Sequence, residues 1–586
     1  MKKKLAMPVI RKIEDNEASL IKFEEELRAD SAIKEQEILL DYPTVYIHNW
    51  KYKKTYEVYI GETNSIIRRT RQHLTDVENG KKWSEKLVEN KAELLIIGHE
   101  HFNTSLTRDV ENRLIQYMMS IESVRKVYNV RGNPQNKYYP EKEFEWIFRE
   151  IWKKLRKIDD NLFLEESAIR DSALFKASPL HKLTADQERA KELIVRKVME
   201  ALKENKKKQL IFIEGEAGTG KTVLNSSTFY ELYNRAEEFG LGNLKCYLMV
   251  NHEEQRKVYE QIAKKLGLTE QFGEIVCKPT TFINQHRPEN PVDVAFVDEA
   301  HLLLTQGRMS YKGKGQLRDI IDRARITVVM FDENQILTAD QYWEAELLER
   351  YKQMAKEQGN YRELKNQLRM AADEQTIAWI DAFTKQRRLI KIPDDSTGYE
   401  IRVFDEPVEL ERAIKQKGRC RKTALSRMVA TYDWKYDKKK LPENRVTKYW
   451  EVMIKHWHKP WNYQLQKDME AKERKDIKEL AWAEQPQTIN EIGSTYTIQG
   501  FDLNYVGVIL GPSVTYRNGE IIFDPGKSCN KNAVKNRTLS DGTKRKFGEM
   551  LIQHEVRVLM TRGINGLYLY AYDEELRKAL QDAAVK

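Results

Sequence analysis

Residues 215–222 read Gly-Glu-Ala-Gly-Thr-Gly-Lys-Thr, the residue types and spacing of a loop that wraps a polyphosphate. Gly215, Gly218 and Gly220 leave the backbone bare, so that Thr219 and its neighbours can aim N–H groups at phosphate oxygens. Lys221 adds a positive charge for the outer phosphates, and Thr222 a hydroxyl for a divalent cation. The apolar run Leu210–Ile213 before the loop reads as a buried strand, the context this chemistry needs. A second apolar run, Val294–Val297, ends in Asp298-Glu299-Ala300-His301. Asp298 is placed to share the cation with Thr222, and Glu299 to orient or deprotonate water.

A different constellation lies nearer the N-terminus. Tyr46 ends one strand-like run and Tyr59-Ile60-Gly61 the next, while Arg69 and His73, four apart, share a helix face. Glu111 falls on a later helix, about Leu106 to Met119. Phosphodiester cleavage needs an activated water, a cation on the scissile phosphate and a metal near the leaving oxygen. Tyr46 can be the base if Arg69 or a metal lowers its reference pKa of about 10. Arg69 suits the phosphate, and Glu111 a single Mg²⁺ that keeps most of its waters. Taken one at a time, these are strand aromatics and a wet helix face; five in register carry the argument.

The elements that must position these residues fall into sections. Residues 1–42 alternate acids and bases with loosely helical apolar spacing, a solvated lead-in. Short strands and helices fill 43–155, and 156–180 reads as a linker. Strands then alternate with helices, which implies parallel sheets over 181–350 and 351–586, with an insertion around 431–486. Strand candidates are 209–214, 245–250, 293–298, 326–331, 400–404, 504–510 and 566–571. The expected class is α/β multidomain: a small mixed α/β domain followed by two parallel-sheet domains.

The chain has 586 residues, 32% of them charged, and a net charge of +10, which favours a polyanionic partner. Four scattered cysteines without a C-x-x-C pair argue against a zinc module or disulfide framework and suit a reducing cytosol. With no apolar stretch near 18 residues, a cytoplasmic protein without membrane contact is expected.

Residues 43–135 resemble the GIY-YIG nuclease family. The resemblance puts its two tyrosines at Tyr46 and Tyr59, its arginine and histidine at Arg69 and His73, its metal-binding glutamate at Glu111 and its trailing asparagine at Asn129. The first triplet reads Thr44-Val45-Tyr46, without the glycine, which puts the local backbone geometry in question.

Further motifs accompany the phosphate loop. Gln187 suits an adenine edge, because its amide both donates and accepts; Thr184-x-x-Gln187 is equally a helix capping box. Gln335, after the run Thr327–Phe331, is placed to sense the γ-phosphate, unless this is an ordinary turn. Arg369 opens the second half, Gln499 and Gly500 precede a strand, and Arg562 in Thr561-Arg562-Gly563 can serve as an arginine finger. In this order the motifs resemble superfamily 1 helicases over residues 180–580. They resemble more closely the compact bacterial P-loop ATPases related to the helicase-like half of long Schlafen proteins.

Together the resemblances imply RecA-like domains, ATP and Mg²⁺ as cofactors, and nucleic acid as partner, with DNA favoured and RNA open. They imply an ATP-dependent nuclease, plausible in defence against foreign nucleic acid. The alternative is an ATP-gated binding switch whose nuclease a partner triggers; a homo-oligomer is equally open. Only 34 residues separate Gln335 from Arg369, too few for a large inserted subdomain, so translocation or remodelling is the safer expectation. Trp434, Tyr436, Trp450, Trp457, Trp461 and Tyr463 are candidates for base stacking. Lys527, Lys531, Lys535, Arg537, Lys544, Arg545 and Lys546 are candidates for phosphate contact.

Overall fold

The computed structural model describes residues 5–29, 33–75, 92–130, 138–236, 240, 244–307, 311–365, 367–437, 440–442, 448–477, 480–498 and 501–584. They form two compact units, Met1–Lys182 with Val258–Ile275, and Leu183–Lys257 with Val276–Lys586.

The first unit is built on a five-stranded sheet ordered β1-β4-β2-β3-β5. Its strands are β1 (Val9–Glu14), β2 (Thr44–Tyr52), β3 (Thr55–Thr63), β4 (Glu93–Gly98) and β5 (Val124–Tyr128). β2 and β3 form a tight hairpin that sets Tyr46 opposite Gly61 and His48 opposite Tyr59. Because strand side chains alternate, Tyr46, His48 and Trp50 share one face. That face packs with Leu20, Phe23 and Leu27 of helix Glu17–Ala29 and Ile66 of helix Ile66–Thr75. Helix Thr104–Met119, with Val110 and Leu114 buried, also packs against β2, β3 and β5.

Two expectations are corrected here. Residues 1–42 are not a solvated lead-in: β1 pairs with β4 along its whole length, and the helix after it buries its apolar side. Residues 156–180 are not a linker either. Phe163 lies edge-on to Trp152 and Phe175 to Tyr117, so aromatic packing holds the segment in the unit.

The second unit contains two all-parallel sheets. The first is ordered β11-β6-β10-β9-β7-β8, from β6 (Gln209–Gly215), β7 (Cys246–Val250), β8 (Val276–Cys277), β9 (Val292–Asp298), β10 (Ala324–Phe331) and β11 (Tyr361–Leu364). The second is ordered β12-β22-β17-β13-β16, from β12 (Glu400–Val403), β13 (Arg427–Ala430), β16 (Ile492–Gly493), β17 (Leu503–Leu510) and β22 (Gly563–Ala571). Strands covered by helices on both faces read as unbroken apolar runs, and β10 and β17 are nearly buried throughout. Since β11 pairs with β6, the first half extends past residue 350.

Three antiparallel ribbons complete this unit: β14 (Glu451–Ile454) with β15 (Trp457–Pro460), β18 (Val514–Arg517) with β19 (Glu520–Phe523), and β20 (Asn536–Thr538) with β21 (Lys544–Lys546). The first lies in the insertion, and its tryptophans are committed to packing. Trp461 is fully buried, and Trp434, Trp450 and Trp457 donate their indole N–H groups to Met453 O, Lys440 O and Glu411 Oε2. The stacking expected of these residues is replaced by a structural role. Among the described residues, no helix is long and apolar enough to cross a membrane.

Candidate functional site

In the first unit the hairpin and the helix after it bring four expected residues together. Tyr46 Oη lies 2.9 Å from His73 Nε2 and accepts a hydrogen bond from Arg69 Nε at 3.3 Å. The Tyr59 ring stacks on Tyr46 with centroids 6.2 Å apart and lies edge-on to His73 at 5.1 Å. Gly61 makes this possible: a Cβ there would sit 2.4 Å from Tyr46 Oη, so only glycine lets the phenol lie across β3. Thr44, in place of the glycine of the first triplet, is a regular ladder residue paired with Thr63, and the backbone geometry is undisturbed.

Glu111 and Asn129 form the other side of the cluster. Asn129, in the left-handed region at φ 59°, donates to Ile60 O at 2.9 Å and to Glu111 Oε1 at 3.2 Å. Asparagine tolerates that conformation better than most residues. Among the described residues no group of three or more His, Cys, Asp and Glu converges as a metal cage. A lone carboxylate fits an ion that keeps most of its waters. Burial, reinforced by Tyr59, raises the Tyr46 pKa well above the usual phenol range, and Arg69 only partly offsets it. The condition set for Tyr46 as base, a net lowering, is not met by Arg69 alone, and His73 Nε2 lies in reach of the phenol proton.

In the second unit, β6 delivers the phosphate loop and helix Lys221–Asn234 follows it. Gly220 takes φ +76°, and a Cβ there would lie 2.1 Å from Gln187 Nε2. Gln187 donates to Thr219 O at 3.0 Å and accepts from Thr184 N at 2.9 Å, and the capping box is complete. Its amide is thus engaged in bracing the loop, where an adenine contact was expected. Lys221 Nζ donates to Gly215 O at 2.7 Å and Glu216 O at 2.9 Å, and lies 3.5 Å from Asp332 Oδ2.

Thr222 and Asp298 converge as expected, and a residue that was not expected marks the point. Gln255 Nε2 lies 3.2 Å from Thr222 Oγ1 and 2.8 Å from Asp298 Oδ2. One NH₂ group spans the two oxygens that a cation would take, so this donor pair fits Mg²⁺. Glu299 sits at φ 50°, an uncommon conformation for a non-glycine residue, with its carboxylate 3.0 Å from His301 Nε2.

Residues far apart in sequence close the site. Gln335 donates to Asp332 Oδ2 at 2.7 Å and accepts from Arg562 at 3.1 Å, so a side-chain chain runs Lys221–Asp332–Gln335–Arg562 between the two sheets. Arg369 Nε lies 2.5 Å from Asp502 Oδ1, and Leu368 N donates to Gly218 O at 2.7 Å. Arg562 is fully buried. Burial, and then the nearby Arg369, push its pKa down to about 9. Two guanidinium groups held close in a dry site repel each other, and an anion between them would relieve that cost.

Residues 208–573 match the Schlafen group 3, DNA/RNA helicase domain. The chain belongs to this family. An uncharacterised protein of Saccharomyces cerevisiae, YPL245W, is 30% identical over 438 residues, 68% of this chain and 90% of the yeast protein. Among solved structures, a Pif1 helicase from Candida albicans aligns with a TM-score of 0.21 at 14% identity, over 40% of this chain and 54% of its own. The DUF1998 helicase MrfA, solved bound to DNA, aligns with a TM-score of 0.27 at 11% identity, over 71% of this chain and 50% of its own. The matched Schlafen-type helicase domain takes in both parallel sheets, and the cluster from Tyr46 to Asn129 lies outside it.

Within the helicase domain, several functional residues escaped the sequence reading. Gln255 carries no motif signal. Glu216, between the loop glycines, accepts from Arg557 at 2.7 Å and from Lys385 at 2.7 Å, and so ties the phosphate loop to the second half. In the first unit, the buried pair Asp15–His48 was missed, its oxygen and Nδ1 2.5 Å apart. The His48 ring lies edge-on to Tyr46 at 5.3 Å and to His73 at 5.4 Å. Its place two residues after Tyr46 was the available signal. Gln499 and Gly500 lie outside the described residues.

Proposed function

We propose that this protein is an ATP-dependent nuclease: a helicase-like engine, using ATP with Mg²⁺, controls cleavage of nucleic acid, DNA in the first place, at the Tyr46–Glu111 cluster. The nuclease reading rests above all on the convergence of Tyr46, Tyr59, Arg69, His73, Glu111 and Asn129 around Gly61. In this reading a water gives its proton to Tyr46 Oη while the phenol proton passes to His73 Nε2, 2.9 Å away. The buried phenol then never carries a full negative charge. Arg69 holds the phenol oxygen through Nε and Gln72 through Nη1, and offers Nη2 to the scissile phosphate. Asn129 fixes Glu111, where a bound Mg²⁺ would supply charge stabilisation at the leaving oxygen.

In the engine, Lys221 exchanges its loop carbonyls for the outer phosphates, and Glu299 orients the attacking water. Thr222 and Asp298 would hold Mg²⁺, and Arg369 and Arg562 take up charge on the transferring phosphate. The test is cleavage of matched single- and double-stranded DNA and RNA with Mg²⁺, with and without ATP. Glu111→Ala is expected to abolish cutting and spare ATP hydrolysis, and Lys221→Ala to abolish ATP hydrolysis and remove any effect of ATP on cutting. Cutting retained by Glu111→Ala would sink the site assignment.

A further inference from the structure

We propose that the β20–β21 ribbon is a nucleic-acid grip, latched to the first parallel-sheet half by Arg537 and presenting Lys544, Arg545 and Lys546 to a phosphodiester backbone. The inference rests on the nucleic-acid engine reading above and names a surface for its track. A two-stranded ribbon is barely stable by itself, and this one is fastened at its base. Arg537, 3% exposed, donates to Ala339 O at 3.2 Å, Asp340 O at 3.3 Å and Thr305 Oγ1 at 2.8 Å. Lys535 reaches Asp340 Oδ2 at 2.5 Å, and Ser540 donates to both oxygens of Glu344, at 2.9 and 2.6 Å. Phe547, just after the ribbon, stacks on Tyr342 with centroids 3.7 Å apart. The anchor points Thr305, Ala339 and Asp340 lie within five residues of the Asp298–His301 and Asp332–Gln335 segments, which the engine reading places at the nucleotide.

The outer strand has the opposite character. Lys544, Arg545 and Lys546 are all exposed, and none forms an ion pair with a described residue. The register sets Arg545 directly across from Arg537, a like-charge pair that weakens a ribbon. Nearby acids are held by other partners, Asp340 by Lys535, Glu344 by Ser540 and Asp541 by Thr543 N at 2.8 Å and Oγ1 at 2.7 Å, while Arg545 also acts on the Asp541 charge. Three cations on a rigid support, arranged at a cost to the fold, suit a polyanion whose charges recur along a strand. Of the seven basic residues expected to touch phosphate, this sorts Arg537 and Lys535 to the latch and the outer three to the ligand.

The experiment is fluorescence anisotropy of labelled single-stranded DNA and RNA of equal length with the full chain, from about 50 to about 200 mM salt. The variants are Lys544→Gln/Arg545→Gln/Lys546→Gln and, separately, Arg545→Thr, with melting curves for each. For the triple variant, affinity at low salt is expected to fall at least about tenfold, and the salt slope by about 2, the value for three lost single-strand contacts. Arg545→Thr removes the opposed arginines, so it is expected to bind more weakly while melting no lower than the parent. Equal losses on DNA and RNA mark a pure backbone grip, and a larger loss on one names the preferred track. Parent-like binding by both variants would overturn the inference and leave the engine reading standing. A parent that binds neither strand would overturn both.

Discussion

In the N-terminal cluster, Tyr46, Arg69 and His73 hydrogen-bond to one another across 23 and 27 residues of chain. In the helicase domain, Gln335 and Arg562 meet across 227. The first cluster pairs polar groups with one another: phenol to imidazole, guanidinium to phenol, amide to carboxylate. The second holds its groups on stand-ins, with Lys221 on loop carbonyls, Gln255 across Thr222 and Asp298, and Arg562 beside Arg369. A local site of this kind is preorganised by its strands and helix. A site spread over two sheets carries charge that a ligand must balance, so ligand binding and the approach of the halves become linked. That difference is consistent with the proposed pairing of a nuclease site and a nucleotide-driven engine.

The largest effect is expected at Arg562. Arg562→Lys should slow ATP hydrolysis about a thousandfold or more, since a lysine cannot hold both Gln335 and a phosphate; steady-state ATPase assays decide it, and near-parental turnover would break the picture of a shared charge. Next, Tyr46→Phe should lower cleavage by about 100- to 10,000-fold with ATP hydrolysis intact. Gly61→Ala should cost about 1–3 kcal/mol in overpacking and displace the phenol; a variant that melts and cuts like the parent would show that the close approach is immaterial.

Gln255→Ala sharpens the stand-in idea. With two hydrogen bonds removed from Thr222 and Asp298, half-maximal ATPase should need up to about tenfold less Mg²⁺. A rise in the Mg²⁺ requirement would mean that Gln255 supports the ion rather than competing with it.

The smallest effect concerns stability alone. Glu555 accepts from Tyr432 N at 3.0 Å, and burial, with Asp433 nearby, raises its pKa to about 8. Its protonated form stabilises the fold. That contribution is complete below the ordinary carboxylate range near pH 4 and fades as pH rises toward 8. Glu555→Gln should therefore melt like the parent at pH 4 and a few degrees higher at pH 8. An equal shift at both would place the effect in packing.

The phosphate loop, the Asp298-Glu299 pair and the seven strand candidates were legible because each is local. A glycine pattern after an apolar run has few other uses, and central parallel strands cannot hide their hydrophobicity. The constellation from Tyr46 to Glu111 was legible by spacing, and the folded unit brings its members into contact. Readings went astray where local texture misled. β1 looks like charged helix because an edge strand needs little apolar sequence when one neighbour pairs its backbone. The tryptophans of the insertion looked like stacking platforms, yet Trp434, Trp450 and Trp457 spend their indole N–H groups on Met453 O, Lys440 O and Glu411 Oε2. Gln187 suited a base as well as a helix cap, and its amide closes the cap and braces the loop.

The sequence by itself determined where phosphate chemistry can occur, because backbone N–H exposure, lysine charge and paired acids are properties of short segments. Only the tertiary structure decided how that chemistry is held. Gln255 on the cation pair, Glu216 under Arg557, Asp15 on His48 and Arg537 in its latch all depend on side chains brought together from distant elements. Hydrogen bonds and desolvation act over a few ångströms of space, and no spacing along the chain records which residues will share them.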